Sequence, residues 1–295
     1  MTAFGPIRTA LFVPGTRPDR VDKALKSGAD VIIIDLEDAV PLAQKEETRP
    51  KVRGKVLEHG GKKTIVRVNA IGSGFCQGDL DEVIVKELGC IMLPKVESPE
   101  QIHEINLRLL RVEEERGIRP GAVSMIVLIE SARAVQNVFH LLSEKTDPVR
   151  VLTAAFGAAD YSLDLGMEIT KEGSELLYPR SRIAVACRAA EIEPPLDTPF
   201  MIDLKDMESL KADAMRAKQL GFQGKLCIHP NQIEPCHAIF SPTKEEVLYA
   251  EKVIQAFEEA EASGVAAIQL DGKFIDYPVV ERARRTLELE KMIKA

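Results

Sequence analysis

Four stretches of this chain are apolar with no alternation: Val31 to Ile34, Cys90 to Leu93, Met125 to Ile129 and Val151 to Phe156. A strand exposed on one side alternates polar and apolar residues, so unbroken runs of this length suit strands covered on both faces, as in a parallel sheet wrapped by helices. Amphipathic segments lie between them, with Pro18 and Pro99 near two starts and Gly28 and Gly60-Gly61 at two ends, the usual punctuation of helices. The pattern predicts strands at 9–14, 31–36, 64–69, 90–96, 125–131, 151–160, 198–202 and 225–228. It predicts helices at 19–26, 44–58, 79–87, 99–116, 132–142, 181–191 and 207–219. Eight strand–helix alternations match a (β/α)8 TIM barrel over residues 1–240 better than an open sheet. Residues 241–295 are then a C-terminal helical extension: a helix at 243–262, a loop at 263–278 and a helix to the end.

Composition narrows the function. The 295 residues are 45% hydrophobic, enough for a large core, and carry a net charge of −7, which argues against nucleic-acid or anionic-membrane partners. The five cysteines are scattered and odd in number, so neither a disulfide framework nor a zinc site is expected. The chain enters a strand without a basic-then-apolar leader, and no apolar run approaches the roughly 18 residues of a membrane span. A soluble, cytoplasmic protein is expected.

Charged residues gather after the strands, the edge at which barrel enzymes bind ligands: Arg17, Arg20, Asp35, Glu37, Asp38, Arg67, Lys95, Glu130 and Asp160. Glu130 and Asp160, each placed at a strand end, are hard oxygen donors with no Cys or His cluster beside them, a set that suits Mg2+. The structural alternative is a loop acid or a helix cap.

The stretches LFVPGTRPDRVDKAL, IIDLEDAV, VRVNAIGSG, LPKVES, LIESARAV, FGAADYSLDLG, CIHPNQI and DGKFIDYP follow one another over nearly the whole chain. Together they resemble the citrate lyase β-subunit family, within the wider group of Mg2+-dependent aldolases and malyl-CoA or citramalyl-CoA lyases. The resemblance implies Mg2+, with Mn2+ as an alternative ion, on Glu130 and Asp160. It implies that Arg67 holds a thioester oxygen and steadies an enolate, and that Glu37 and Asp38 accept hydrogen bonds from metal-bound waters. Backbone N–H groups of Gly157, Ala158 and Ala159 would receive a substrate carboxylate, and Arg17, Arg20 and Lys26 would meet the phosphates of coenzyme A. His229 would be part of the wall. Asp276 would act as acid–base from a neighbouring subunit, whose tail caps the mouth, so a homo-oligomer (trimer or hexamer) is implied.

The implied reaction is cleavage of a β-hydroxyacyl-CoA to acetyl-CoA and a 2-oxo acid. Three alternatives stand beside it: a citrate lyase β-subunit acting on an acyl-carrier-protein thioester, a CoA-independent hydroxy-keto-acid aldolase, and a non-catalytic barrel. The aldolase branch carries a histidine where this chain has Glu37-Asp38, which argues against it.

Overall fold

Residues two apart on a strand share a face, and one face of each strand feeds a common interior. In the computed structural model, which describes residues 4–59 and 63–294, eight parallel strands close into a barrel in sequence order. They are β1 (Thr9–Pro14), β2 (Val31–Asp35), β3 (Thr64–Arg67), β4 (Cys90–Leu93), β5 (Ser124–Ile129), β6 (Val151–Phe156), β7 (Leu196–Asp197) and β8 (Gly224–Cys227). Closure comes from β8 lying parallel to β1, with Thr9 beside Lys225. The interior is filled by Ala10, Val31, Ile33, Ile65, Cys90, Met92, Ile126, Leu128, Ala155, Leu196 and Leu226, with Ile7 below them. This is the (β/α)8 barrel expected.

Around it run α1 (Pro18–Leu25), α2 (Lys45–His59), α3 (Cys76–Val83), α4 (Pro99–Glu115), α5 (Ala132–Ser143), α6 (Ala158–Leu165), α7 (Leu177–Ala189), α8 (Met207–Gln219) and α9 (Ile233–Phe240). Several starts are capped by the residues that prefer that place: Ser98 and Gln101 form a capping box at α4, and Ser131 and Asp206 accept N–H groups at α5 and α8. The expected stop of α2 at Gly60-Gly61 lies outside the described residues. All five cysteines are free and buried.

Two strands differ from expectation. β6 ends at Phe156 and α6 begins at Ala158, which places Asp160 in the first turn of a helix and not on a strand. The seventh strand is the two residues Leu196–Asp197, and 198–202 is loop. So short a strand makes few ladder bonds. It is held by buried ion pairs instead: Arg180 bonds Asp197 at 2.8 and 2.9 Å and Asp213 at 2.8 Å, and Lys225 bonds both carboxylates.

The chain divides into two compact units after His237. The second contains α10 (Lys244–Ala262), β9 (Ile268–Leu270), β10 (Lys273–Ile275) and α11 (Tyr277–Lys294). Its core is Ala250, Val253, Phe257, Ile275, Val280 and Ala283. The antiparallel hairpin β9–β10 occupies part of the expected loop.

Candidate active site

The inward rows of the barrel end in charge. Val31 and Ile33 lead to Asp35, Ile65 leads to Arg67, and Ile126 and Leu128 lead to Glu130, each two residues further along the same face. Parallel register sets Asp35 beside Arg67. Asp35, 1% exposed, accepts Nε and Nη2 of Arg67, both at 2.7 Å. It also accepts the N–H groups of Glu37 and Ala39, both at 2.9 Å. One carboxylate therefore shapes the loop that carries Glu37 and Asp38 and aims a planar guanidinium through a two-point contact. The Phe12 ring lies 4.8 Å from the guanidinium, and Nη1 faces Glu37 Oε2 at 3.1 Å and Asp38 Oδ2 at 3.2 Å. Burial favours the neutral form of Arg67, but Asp35, Glu37 and Asp38 outweigh it and raise its pKa.

Glu130 stands across the mouth under opposite conditions. Its Oε1 accepts the Lys95 N–H at 2.7 Å, and no Lys or Arg side chain among the described residues pairs with it. Its other oxygen packs against Gly157, where a Cβ would come within 2.8 Å of Oε2, so a glycine is required there. Burial, together with the negative charges of Glu37 and Asp160, pushes Glu130 up to about 8. Burial raises Glu37 as well, against the pull of Arg67 and Lys95, and Glu37 Oε2 accepts no hydrogen bond. The Lys95 ammonium is 2.8 Å from Glu37 Oε1, 3.7 Å from Asp38 Oδ1 and 3.8 Å from Asp160 Oδ2.

These groups border a cavity of about 370 Å³, with Arg67, Asp38, Glu130 and Asp160 on its polar side and Phe12, Leu128, Pro199, Met201 and Ile228 on its apolar side. Among the described residues five carboxylates face two cations, Glu37 Oε2 accepts no hydrogen bond, and burial beside Glu37 and Asp160 keeps Glu130 from ionising. An all-oxygen set with that deficit fits a hard divalent cation, and Glu130 and Asp160 are the residues that could ligate it. Among the described residues the one group of three whose ligand atoms lie within 4.8 Å of one another is Asp22, Glu58 and His59, which joins α1 to α2 and in which Lys55 already bonds both acids at 2.7 and 2.8 Å; no three of the mouth acids converge so closely.

Some expected roles change. The Gly157 N–H donates to Ile129 O at 2.9 Å and the Ala158 N–H to Thr198 Oγ1 at 3.1 Å, so neither is open to a substrate carboxylate. Ala159 is the second residue of α6, where helix geometry supplies no intrahelical acceptor, as it supplies none for Gly157 or Ala158. Arg17 is paired with Asp19 at 2.9 Å, Arg20 is exposed, and Lys26 follows the last turn of α1, roughly 12 Å of helix from Arg17, so the three do not converge. The His229 ring caps the turn Pro230–Gln232. Asp276 Oδ1 accepts the Val279 N–H at 3.3 Å and caps α11. The sequence shows Asp35 only as a rim charge, but the parity of the 31, 33, 35 row places it on the inward face beside Arg67.

Residues 8–230 match the HpcH/HpaI aldolase/citrate lyase family. The chain is 37% identical over 284 residues to the citrate lyase subunit beta of Leuconostoc mesenteroides subsp. cremoris, covering 96% of this chain and 92% of that one. It is 31% identical over 306 residues to the mitochondrial citramalyl-CoA lyase of Homo sapiens, covering 98% and 87%. Among solved structures, CitE from Mycobacterium tuberculosis in complex with magnesium, acetoacetate and coenzyme A superposes with a TM-score of 0.79 at 29% identity, covering 99% of this chain and 100% of that one. The chain belongs to the HpcH/HpaI aldolase/citrate lyase family and is an enzyme of the lyase class.

Proposed function

We propose that the protein is a Mg2+-dependent carbon–carbon lyase that cleaves a β-hydroxyacyl-CoA, of the malyl-CoA or citramalyl-CoA type, to acetyl-CoA and glyoxylate or pyruvate. The observation that carries this reading is the meeting, in one cavity, of a carboxylate cluster short of positive charge and an arginine fixed by Asp35. Held by Glu130 and Asp160, Mg2+ (or Mn2+) would supply a Lewis acid for the hydroxyl and carboxylate oxygens of the 2-oxo acid half. Glu37 and Asp38 would orient its waters. Arg67 donates to the thioester oxygen as that atom gains charge, and the Asp35 clamp spares it reorganisation at that moment. Arg17 and Arg20 serve the phosphates of coenzyme A. Asp276, given by a neighbouring subunit of a homo-oligomer, trimer or hexamer, protonates the enolate carbon. Its neighbours Phe274 and Tyr277, 68% and 55% exposed, offer an apolar surface for a tail that caps another chain's mouth.

The higher identity to a citrate lyase subunit beta favours a second reading, an acyl-carrier-protein thioester as substrate with the same residues. Malyl-CoA, citramalyl-CoA, an acyl-carrier-protein thioester and free hydroxy acids, each incubated with enzyme and Mg2+, separate the two by release of a 2-oxo acid. Release from the CoA thioesters, abolished by EDTA and restored by Mg2+, is expected. Release only from free hydroxy acids, or full activity in EDTA, overturns the proposal. Mixing inactive Asp276→Ala with inactive Glu130→Gln under subunit exchange should restore part of the activity. Exchange without recovery removes Asp276 from a role in trans.

A further inference from the structure

Both halves of Lys95 are engaged at the rim. Its N–H donates to Glu130 Oε1 at 2.7 Å while its ammonium donates to Glu37 Oε1 at 2.8 Å, with Asp38 and Asp160 just beyond hydrogen-bond reach. The residue reaches both by an unusual backbone, φ 55, in the left-handed region that a residue with a Cβ enters only at a cost. Two other non-glycine residues among those described share a positive φ. Glu191 follows the end of α7 and Asp271 sits in the β9–β10 turn, places where such a conformation serves chain reversal. Lys95 instead faces carboxylates at a candidate active site, where strained backbone tends to be kept for function. The sign of φ sets the direction of the N–H relative to the side chain. The left-handed conformation is what lets one residue touch Glu130 with its backbone and Glu37 with its tip.

We propose that Lys95 is a positioning residue with two separable tasks: its N–H fixes the Glu130 carboxylate, and its ammonium holds the place of a divalent cation among Glu37, Asp38 and Asp160 until the ion arrives. The proposal rests on the Mg2+ reading above. While the ion is absent the ammonium offsets the repulsion among the three carboxylates beside Glu130, and when the ion arrives it competes directly for the same negative charge. At 46% side-chain exposure the ammonium can withdraw into water when displaced. Removing it should therefore tighten ion binding, the reverse of what losing a ligand does. Keeping the backbone shape should matter independently, because glycine enters the left-handed region freely and alanine does not.

The test is Mn2+ binding to the metal-free protein, read by electron paramagnetic resonance with no substrate present, for wild type, Lys95→Gly and Lys95→Ala, each checked for folding by its thermal transition. Lys95→Gly should bind Mn2+ about tenfold more tightly than wild type, because the competing charge is gone and the N–H still reaches Glu130. Lys95→Ala should bind more weakly than Lys95→Gly, because its backbone relaxes away from Glu130. Adding Glu130→Gln to Lys95→Gly should abolish the gain, which assigns the signal to this site. Lys95→Gly binding no more tightly than wild type overturns the place-holding role, and equal affinities of the Gly and Ala variants overturn the backbone role. A wild type that binds no Mn2+ at all, in contrast, removes the metal reading itself and this proposal with it.

Discussion

Arg180, Asp197, Asp213 and Lys225 carry two charges of each sign and are almost wholly buried, whereas the mouth sets Asp35, Glu37, Asp38, Glu130 and Asp160 against only Arg67 and Lys95. In the quartet each carboxylate oxygen has a cationic donor. Burial pushes Asp213 up, yet Lys225 and Arg180 outweigh it and hold it down at about 2. At the mouth burial meets too few cations, and Glu130 goes the other way, to about 8. Asp213 and Glu130, each 5% exposed, are thus driven in opposite directions by their neighbours. A balanced cluster fastens β7, α7 and α8 to the barrel, and an unbalanced one is where the proposed Mg2+ would supply the missing charge.

Breaking each cluster should expose the difference. Lys225→Met leaves Asp197 and Asp213 with Arg180 alone and should cost about 3–5 kcal/mol of stability, seen in urea or thermal unfolding. If it unfolds like wild type, the quartet is not the fastening described. Glu130→Gln should lower turnover about a thousandfold, roughly 4 kcal/mol, with the transition temperature unchanged or raised, since it deletes an ill-placed acid and no packing group. Large loss of stability there would mean that Glu130 is structural. Asp35→Asn should reduce kcat by about 10–100-fold with a smaller effect on Mg2+ affinity, by loosening Arg67 without touching the metal residues. A variant whose kcat is unchanged would show that Arg67 needs no clamp.

The sequence announces the barrel because strands covered on both faces read as continuous apolar runs, VIIID and MIVLI among them. It places Glu130 at the end of such a run, whereas Arg67 lies within the strand expected at 64–69 and its role is implied only by the family resemblance. The apolar run continues through FGAA and so suggests a strand as far as Asp160, but Gly157 breaks the strand and Ala158 opens a helix. Residues 198–202 read as a strand in the sequence but form a loop, because the two residues of β7 show no periodicity and their place is fixed by Arg180 and Lys225, which are distant in sequence. The hairpin in the tail has a sequence signature of its own. Asp271 and Gly272, with φ 49 and 76, are the Asp-Gly pair of a tight turn. Nothing in the sequence signals the left-handed backbone of Lys95.

Proton linkage sharpens the comparison further. Glu130 titrates at about 8 in the folded chain, above its usual 4.5, so its contribution to stability is full below pH 4.5 and is lost as pH rises through 8. Asp213 titrates at about 2, below its usual 3.8, so its contribution is present above pH 3.8 and is lost as pH falls through 2. Metal-free protein should weaken toward both extremes, and Glu130→Gln should flatten only the alkaline side. Unfolding midpoints across pH 3–9 would check this. An alkaline slope equal in wild type and variant would assign it to other groups.

The most direct measurement is the thermal transition of metal-free wild type and Glu130→Gln at pH 8, each with and without saturating Mg2+. The ion should stabilise wild type by supplying the charge that Glu130 lacks, raising its transition by about 2–4 °C per kcal/mol of binding energy, and should leave the variant where it was. Equal shifts in the two proteins, or none in wild type, would contradict the view that the mouth is a carboxylate cluster built for a divalent cation.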